Sequence, residues 1–239
     1  MDLEQFKPLF GKWYDKFEPF LKTSDFSDIY AFLKTRSRMG KKILPLSGDL
    51  FKAFQLTDPQ QINCIIVGNF PYSQLNKNQK PIADGLCLSA STTKEDIPTL
   101  KLFYKELKKQ YDTTFYYNDF TELAERNGIL LLNASFTCEL NNPTIHYDKK
   151  VWDKFNQFLY KNILSDYCGI PFLLMGKEAK KMEKYLFPLC NVIKTIEHPM
   201  NAVQENTDWN SENCFIWINK VLKENNNTEL NFEPVEIPF

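Results

Sequence analysis

The sequence predicts an α/β domain in which a small parallel sheet of four strands is covered on both faces by helices. Three observations predict it. Four short runs are predominantly apolar rather than strictly alternating, as strands buried on both faces are: INCIIVG (62–68), GILLLN (128–133), IPFLLMG (170–176) and CNVIKTIEHP (190–199). Helix-like stretches around 98–110, 119–126, 148–165 and 177–186 separate them, and strand–helix alternation gives parallel pairing. Each run also ends in a polar or glycine-containing segment: GNFPYS, NASFT, GKEAK and HPMNAV. In open parallel sheets those carboxyl ends converge on the ligand site, so four such ends at one cleft is the main architectural expectation.

The elements follow in order. Residues 4–37 carry aromatics at roughly helical spacing, interrupted by Pro8 and Pro19, and read as two or three short helices covering a core. The run 62–68 turns sharply on Pro71, and the tip of that turn carries Phe70 where a short polar or acidic residue is expected. Asn133 closes the run 128–133, either as a helix N-cap, a role Asn favours, or as a pocket-lining amide. Lys177, Lys180, Lys181 and Lys184 alternate with Glu178 and Glu183, a pattern that fits a solvated helix face as well as a phosphate grip. The final KENNNTELNFEPVEIPF (223–239) is polar and proline-punctuated and reads as an extended tail or a strand laid on the surface. No internal repeat is visible, and 239 residues suit one domain, with N-terminal helices over 1–45.

Composition narrows the classes. A formal net charge of −1 argues against a strongly basic nucleic-acid binder but not against a local basic patch. No apolar run approaches the roughly 20 residues of a membrane helix, and the acidic start MDLEQFKPLF lacks a secretory h-region. An intracellular protein is expected, in cytoplasm, nucleoid or nucleus, neither secreted nor membrane-bound. The cysteines Cys64, Cys87, Cys138, Cys168, Cys190 and Cys214 are scattered without a C-x-x-C pair and read as buried free thiols. With two histidines and no clustered thiols, neither a zinc site nor a cofactor is expected.

The order and spacing of LFKAFQLTDPQQINCIIVGNFPYS, ADGLCLSAS, IPTLKLFYKEL, NGILLLNASFT, FLLMGKEAKK and HPMNAV resemble the uracil-DNA glycosylase family, from about Phe10 to about Leu222. The resemblance implies a three-layer α/β/α fold on a four-stranded parallel sheet. It also implies an enzyme that flips uracil out of DNA into a pocket and hydrolyses the bond between base and sugar. On that resemblance GNFPYS is the water-activating turn, usually Gly-Gln-Asp-Pro-Tyr-His. Tyr72 is the tyrosine that shuts out thymine's methyl group, and Asn133 the amide that reads the uracil edge. His198 is the histidine that donates to the uracil oxygen as charge builds there. Pro98, Thr99 and Lys177 fall in segments that grip phosphate, and His146 resembles a position that supports DNA contact.

The departures are as specific. Phe70 stands where the family has its aspartate, and can neither orient water nor stabilise a cationic sugar; positioned general-base catalysis is worth about 10²–10⁴-fold. Ser73 replaces a histidine, and Asn69 is one methylene shorter than the usual glutamine. Leu88 replaces a stacking phenylalanine, an interaction worth roughly 1–3 kcal/mol. Ala202 falls at the leucine wedge, with Val203 the nearest substitute, and Glu205, Asp208 and Glu212 would face phosphate. Phe70 is therefore either an ordinary core residue or the lining of the old pocket, and His198 a pocket donor or a satisfied loop histidine.

The expectation is a divergent member, a pseudoenzyme that binds DNA or protein with uracil excision lost or strongly weakened. The alternative is an active DNA N-glycosylase, for uracil or another damaged base, that relies on oxyanion stabilisation by His198 together with Asn133. The implied partners are DNA, gripped more weakly than usual, and proteins such as DNA-mimic inhibitors or replication factors, with the chain acting as a monomer.

Overall fold

The computed structural model describes residues 3–112, 117–186 and 192–233. Its strands in chain order are β1 (Ile43–Leu44), β2 (Cys64–Gly68), β3 (Ile129–Asn133), β4 (Cys138–Glu139), β5 (Pro171–Met175) and β6 (Val192–Ile196). The four apolar runs form one parallel sheet in the order β3-β2-β5-β6. β2, β3 and β5 are buried along their whole length, which is why their sequences do not alternate. The pairing register sets Gly68 opposite Asn133 and Met175 opposite Ile196, so the polar segments after each strand leave the sheet along one edge. With helices on both faces the architecture is α/β/α, as the spacing predicts. Residues 190 and 191 of the fourth predicted run lie outside the described residues.

The N-terminal helices close one side of the core. Aromatic rings do most of the filling: Phe10 stacks on Phe51 at 4.3 Å, Phe17 on Phe155 at 5.3 Å, and Phe136 meets Trp152 at 5.2 Å. Such pairs add roughly 0.5–1.5 kcal/mol each beyond the area they bury. Pro8 sits at a helix start, as the first-turn rule requires. Pro19 does not interrupt its helix but lies inside Tyr14–Leu21, close to that helix's end. The helix Ser24–Arg38 is capped by Thr23, whose hydroxyl accepts the Phe26 N–H.

A short antiparallel ribbon of β1 and β4, which hydrophobic periodicity does not reveal, ties that helix to the sheet's end. Arg36 donates to both carboxylate oxygens of Glu139 at 2.6 and 3.0 Å, and His146 Nε2 lies 3.3 Å from the same carboxylate. His146 Nδ1 meets the Thr137 hydroxyl at 2.7 Å and Trp152 donates to that hydroxyl at 2.8 Å. His146 is fully buried. Of its two open roles the structure supports the internal one, since no face of the ring is left for DNA.

Two further expectations change. The helix read over 148–165 begins at Asp153 and passes into a wider π turn at Leu159–Ile163. Cys64, Cys87, Cys138 and Cys214 are buried free thiols, but Cys168 is disulfide-bonded, which corrects the reading of six free cysteines. Scatter along a chain does not report distance in a fold. The C-terminal segment begins inside the helix Cys214–Glu224, which corrects the start of the expected tail, and its irregular chain from residue 227 to 233 then packs on the core. The Leu230 N–H donates to Asn219 Oδ1 and its carbonyl accepts from Asn219 Nδ2, and Leu230 and Phe232 are buried. Residues 234–239 of that tail lie outside the described residues.

Candidate base-binding site

The site grows from the end of β2. A Cβ built on Gly68 would stand 2.5 Å from Cys87 Sγ, 3.0 Å from Asn133 Oδ1 and 3.7 Å from His198 Nε2. One backbone point is thus touched by side chains from three separate segments, and only glycine leaves room for them. Beyond it opens a cavity of about 390 Å³, lined among others by Phe70, Tyr72, Leu88, Asn133, His198 and Met200. That volume suits a small planar ligand.

Asn133 ends a strand rather than starting a helix, which rules out the cap reading; the following Ala134 N–H donates to the Gly68 carbonyl at 2.8 Å. Its buried side-chain amide makes no hydrogen bond among the described residues. An unpaired amide is costly inside a protein, so its donor and acceptor are left for whatever enters the cavity.

The functional reading of the histidine gains a precise geometry. His198 is the N-cap of the helix Pro199–Glu205, and its Nδ1 accepts the Met200 N–H at 3.1 Å. A backbone N–H can only donate, so Nδ1 is unprotonated and the neutral ring carries its proton on Nε2. Burial pushes the imidazole pKa down to about 4, so the ring is neutral near pH 7 and offers one N–H donor.

Tyr72 is locked from two sides. Its hydroxyl donates to the Leu88 carbonyl at 3.0 Å and shares a 2.8 Å hydrogen bond with Thr99 Oγ1. Burial raises the phenol pKa, so the ring stays neutral. Leu88 is held in the left-handed region at φ +64°, a conformation an aliphatic residue adopts only under constraint. Thr99, expected in a phosphate-gripping segment, therefore has no free hydroxyl to offer phosphate. It is fully buried and its hydroxyl is spent on Tyr72, while its neighbour Pro98, at the start of the helix Pro98–Tyr111, is exposed.

Phe70 lines the cavity and is not a core residue. It is half-buried, and its ring meets Tyr147 edge-on at 5.5 Å. Tyr147 in turn lies 5.1 Å beneath the Lys181 ammonium, which pairs with Glu178. Asn69 borders the cavity, but its side chain is spent elsewhere. Its Oδ1 accepts the N–H groups of Glu178 and Ala179 at 3.0 and 3.1 Å, capping the helix Lys177–Lys180. Gly176, at φ +99°, permits that approach, since a Cβ there would lie 2.5 Å from Asn69 Nδ2. Asn69 is therefore a structural tie more than a ligand group.

The outer surface corrects more of the sequence reading. Ala202 is buried in the helix Pro199–Glu205 and cannot reach out as a wedge, and Val203 is half-buried. Met200, which the motif reading does not single out, is an exposed apolar side chain in the cavity lining. Its signal was present: a large apolar residue straight after a proline that starts a helix. Asp208 is paired with Lys105 and Glu212 with Lys194, so two of the three acidic residues expected to repel phosphate are neutralised within the chain. Lys177, Lys180, Lys181 and Lys184 surround a separate open hollow of about 600 Å³.

No aspartate or glutamate lines the base cavity among the described residues. Nor do the described residues contain a group of three or more His, Cys, Asp or Glu side chains that could hold a metal ion, and no described helix is long and apolar enough to cross a membrane. The arrangement can bind a planar polar ligand and stabilise negative charge on it, and among the described residues no carboxylate lines it to activate water.

Comparison with known proteins gives the same fold and a consistent set of relatives. The chain is 31% identical to the uracil-DNA glycosylase of Coxiella burnetii (strain RSA 493 / Nine Mile phase I) over 185 residues, 77% of this chain and 76% of that protein. It is 29% identical to the uracil-DNA glycosylase of Vibrio vulnificus (strain YJ016) over 188 residues, 78% of this chain and 80% of that one. Among solved structures, mimivirus uracil-DNA glycosylase superposes with a TM-score of 0.85 at 21% identity, covering 98% of this chain and 90% of that one. Its Y322L variant in complex with UGI gives 0.86 at 20% identity over 98% and 92% of the two chains. No protein-family model matches.

Proposed function

Because this chain belongs to the uracil-DNA glycosylase family, we propose that it is a divergent member that still receives a base in its pocket but has lost, or strongly weakened, the excision of uracil. One observation carries this reading: no carboxylate lines the cavity among the described residues, and the turn after β2 presents Phe70 instead. A benzene ring cannot orient or deprotonate water, and its edge-on contact with Tyr147 gives it a packing role.

What remains is recognition. The unpaired Asn133 amide can pair with the polar edge of a pyrimidine, and His198 Nε2–H can donate to a carbonyl oxygen beside it. Tyr72, fixed by Leu88 and Thr99, forms a rigid wall that limits the size of the base. The exposed lysines at 177 and 180 supply cations for a phosphodiester backbone. In this reading the chain acts as one domain and a monomer inside the cell, with DNA as its main partner. An inhibitor protein of the kind bound to the mimivirus enzyme is a candidate second partner.

A second reading is favoured by His198 alone. A neutral ring whose only free N–H faces the cavity is suited to stabilise negative charge on a departing base, so an N-glycosylase without the aspartate would use His198 and Asn133 for excision. Single-turnover excision from single-stranded DNA containing uracil separates the two. The wild type, Phe70→Asp and an authentic family enzyme are run together. The proposal expects no wild-type cleavage and measurable cleavage by Phe70→Asp. Clear wild-type cleavage overturns it in favour of the second reading.

A further inference from the structure

A second cavity lies away from the base pocket and is larger than it. A groove of about 760 Å³ runs between the N-terminal helices and the segment around β1, and it shares no lining residue with the base pocket. Its walls are mostly apolar, with Phe6, Leu9, Ile29, Leu33 and Pro45 among them, and Tyr30 and Leu46 stand 40% and 52% exposed at its edge. Exposed apolar surface of this kind marks a contact site more often than chance placement does.

The charge around the groove is one-sided. Lys34, Arg38, Lys41 and Lys42 line it and are exposed, and no Asp or Glu lines it among the described residues, in a chain whose formal net charge is −1. Tyr30, Lys34 and Arg38 are spaced four apart on the helix Ser24–Arg38, so they form one row along the groove. Arg38, Lys41 and Lys42 make no ion pair among the described residues. The neighbouring Arg36 is different: it is consumed by Glu139. The cations at the rim are thus available to an incoming partner, whereas the one behind them holds the fold.

We propose that this groove binds an amphipathic helical segment of a partner protein, its apolar stripe filling the groove and its acidic flank meeting Lys34, Arg38, Lys41 and Lys42. An apolar stripe at i, i+3, i+4 and i+7 is the form of peptide that a hydrophobic groove accepts, and an acidic flank complements the rim. Nucleic acid fits less well, because stacked bases need exposed flat platforms, and of the aromatic rings in the lining Phe6, Phe26, Phe51 and Trp152 are buried while Tyr30 alone is exposed. The groove and the base pocket have separate linings, so both can be occupied together. The inference stands independently of whether the base pocket is catalytic.

The test uses the full chain and a fluorescein-labelled peptide of about five helical turns, with leucines in a single stripe and glutamates elsewhere. Fluorescence anisotropy should give saturable binding with a Kd of the order of micromolar. Leu46→Glu, and separately the double variant Arg38→Glu/Lys41→Glu, should each weaken it roughly tenfold or more. All three positions are exposed, and unchanged melting temperatures establish that the variants fold. A peptide of the same composition with the stripe scrambled should not bind. Equal binding of the scrambled peptide, or no effect of either variant, overturns the proposal. Displacement of the peptide by unmodified single-stranded DNA overturns it in favour of a nucleic-acid surface. A concentration-dependent dimer that Leu46→Glu abolishes overturns it in favour of a second copy of the chain.

Discussion

The backbone N–H of Met200 donates to Nδ1 of His198 at 3.1 Å, which fixes the tautomer of the histidine that faces the base pocket. With burial holding its pKa at about 4, against an ordinary 6.5, this ring does not titrate near neutrality. Binding of a uracil-containing oligonucleotide is accordingly expected to show no titration step near pH 6.5. Stability carries the complementary signature. Between pH 6.5 and 4 the unfolded chain takes up a proton that folded His198 refuses, so stability falls as pH falls through that window and is unaffected above it. His146, also held low by burial, acts in the same direction. Melting temperatures from pH 7.5 to 4.5 should therefore fall less steeply in His198→Gln than in the wild type. Parallel curves would mean that the ring is not held neutral.

Gly68 tests the packing of the pocket floor. A methyl group there would meet Cys87 Sγ at 2.5 Å and Asn133 Oδ1 at 3.0 Å, and both neighbours are buried. Overpacking of this sort costs about 1–3 kcal/mol. Gly68→Ala should lower stability to chemical denaturation by that amount and displace the Asn133 amide. Uracil-containing DNA should then bind at least tenfold more weakly, while DNA without uracil binds as before. Equal affinity of the variant and the wild type for both would remove Asn133 from the recognition set.

The parallel sheet was legible because β2, β3 and β5 are buried on both faces, and only continuous apolar runs satisfy that environment. The convergence of Tyr72, Asn133 and His198 was legible through motif order. What escaped depends on side-chain direction. Thr99 is one residue from exposed Pro98 yet fully buried, because the first turn of its helix points the hydroxyl at Tyr72. Asn69 turns outward to cap the lysine helix, which depends on a glycine more than a hundred residues away, Gly176. Ala202 matches the wedge by position, but the segment after His198 coils into a helix and buries it, bringing Met200 outward. Motif spacing gives the order of segments; it does not give the rotation of a helix about its axis.

The lysine hollow makes a prediction about salt. Lys177 and Lys180 make no ion pair among the described residues, while Lys181 is held by Glu178 and Lys184 lies 4.5 Å over the Tyr185 ring. The first two are the cations free to meet phosphate. Each phosphate contact contributes about −0.7 to the slope of log Kobs against log salt for single-stranded DNA. Lys177→Glu/Lys180→Glu should flatten that slope by roughly 1.4. A slope that the double variant leaves unchanged would place the DNA path elsewhere on the surface.

Asn69 provides the sharpest separation of structure from recognition. Its Oδ1 accepts two backbone N–H groups at the start of the helix Lys177–Lys180, tying the Phe70 turn to the lysine segment. Removing such a cap costs about 1 kcal/mol, within a range of 0.5–2. Asn69→Ala should lose that much stability in a denaturant titration. Asn69→Asp keeps the accepting oxygen and places a negative charge where the helix start favours one, so it should stay within about 0.5 kcal/mol of the wild type. A purely pocket-facing Asn69 makes the opposite forecast: both substitutions would alter base binding and neither would alter stability. The melting of the two variants relative to each other therefore decides which way the side chain is spent. If Ala and Asp unfold together, the cap is not what Asn69 contributes.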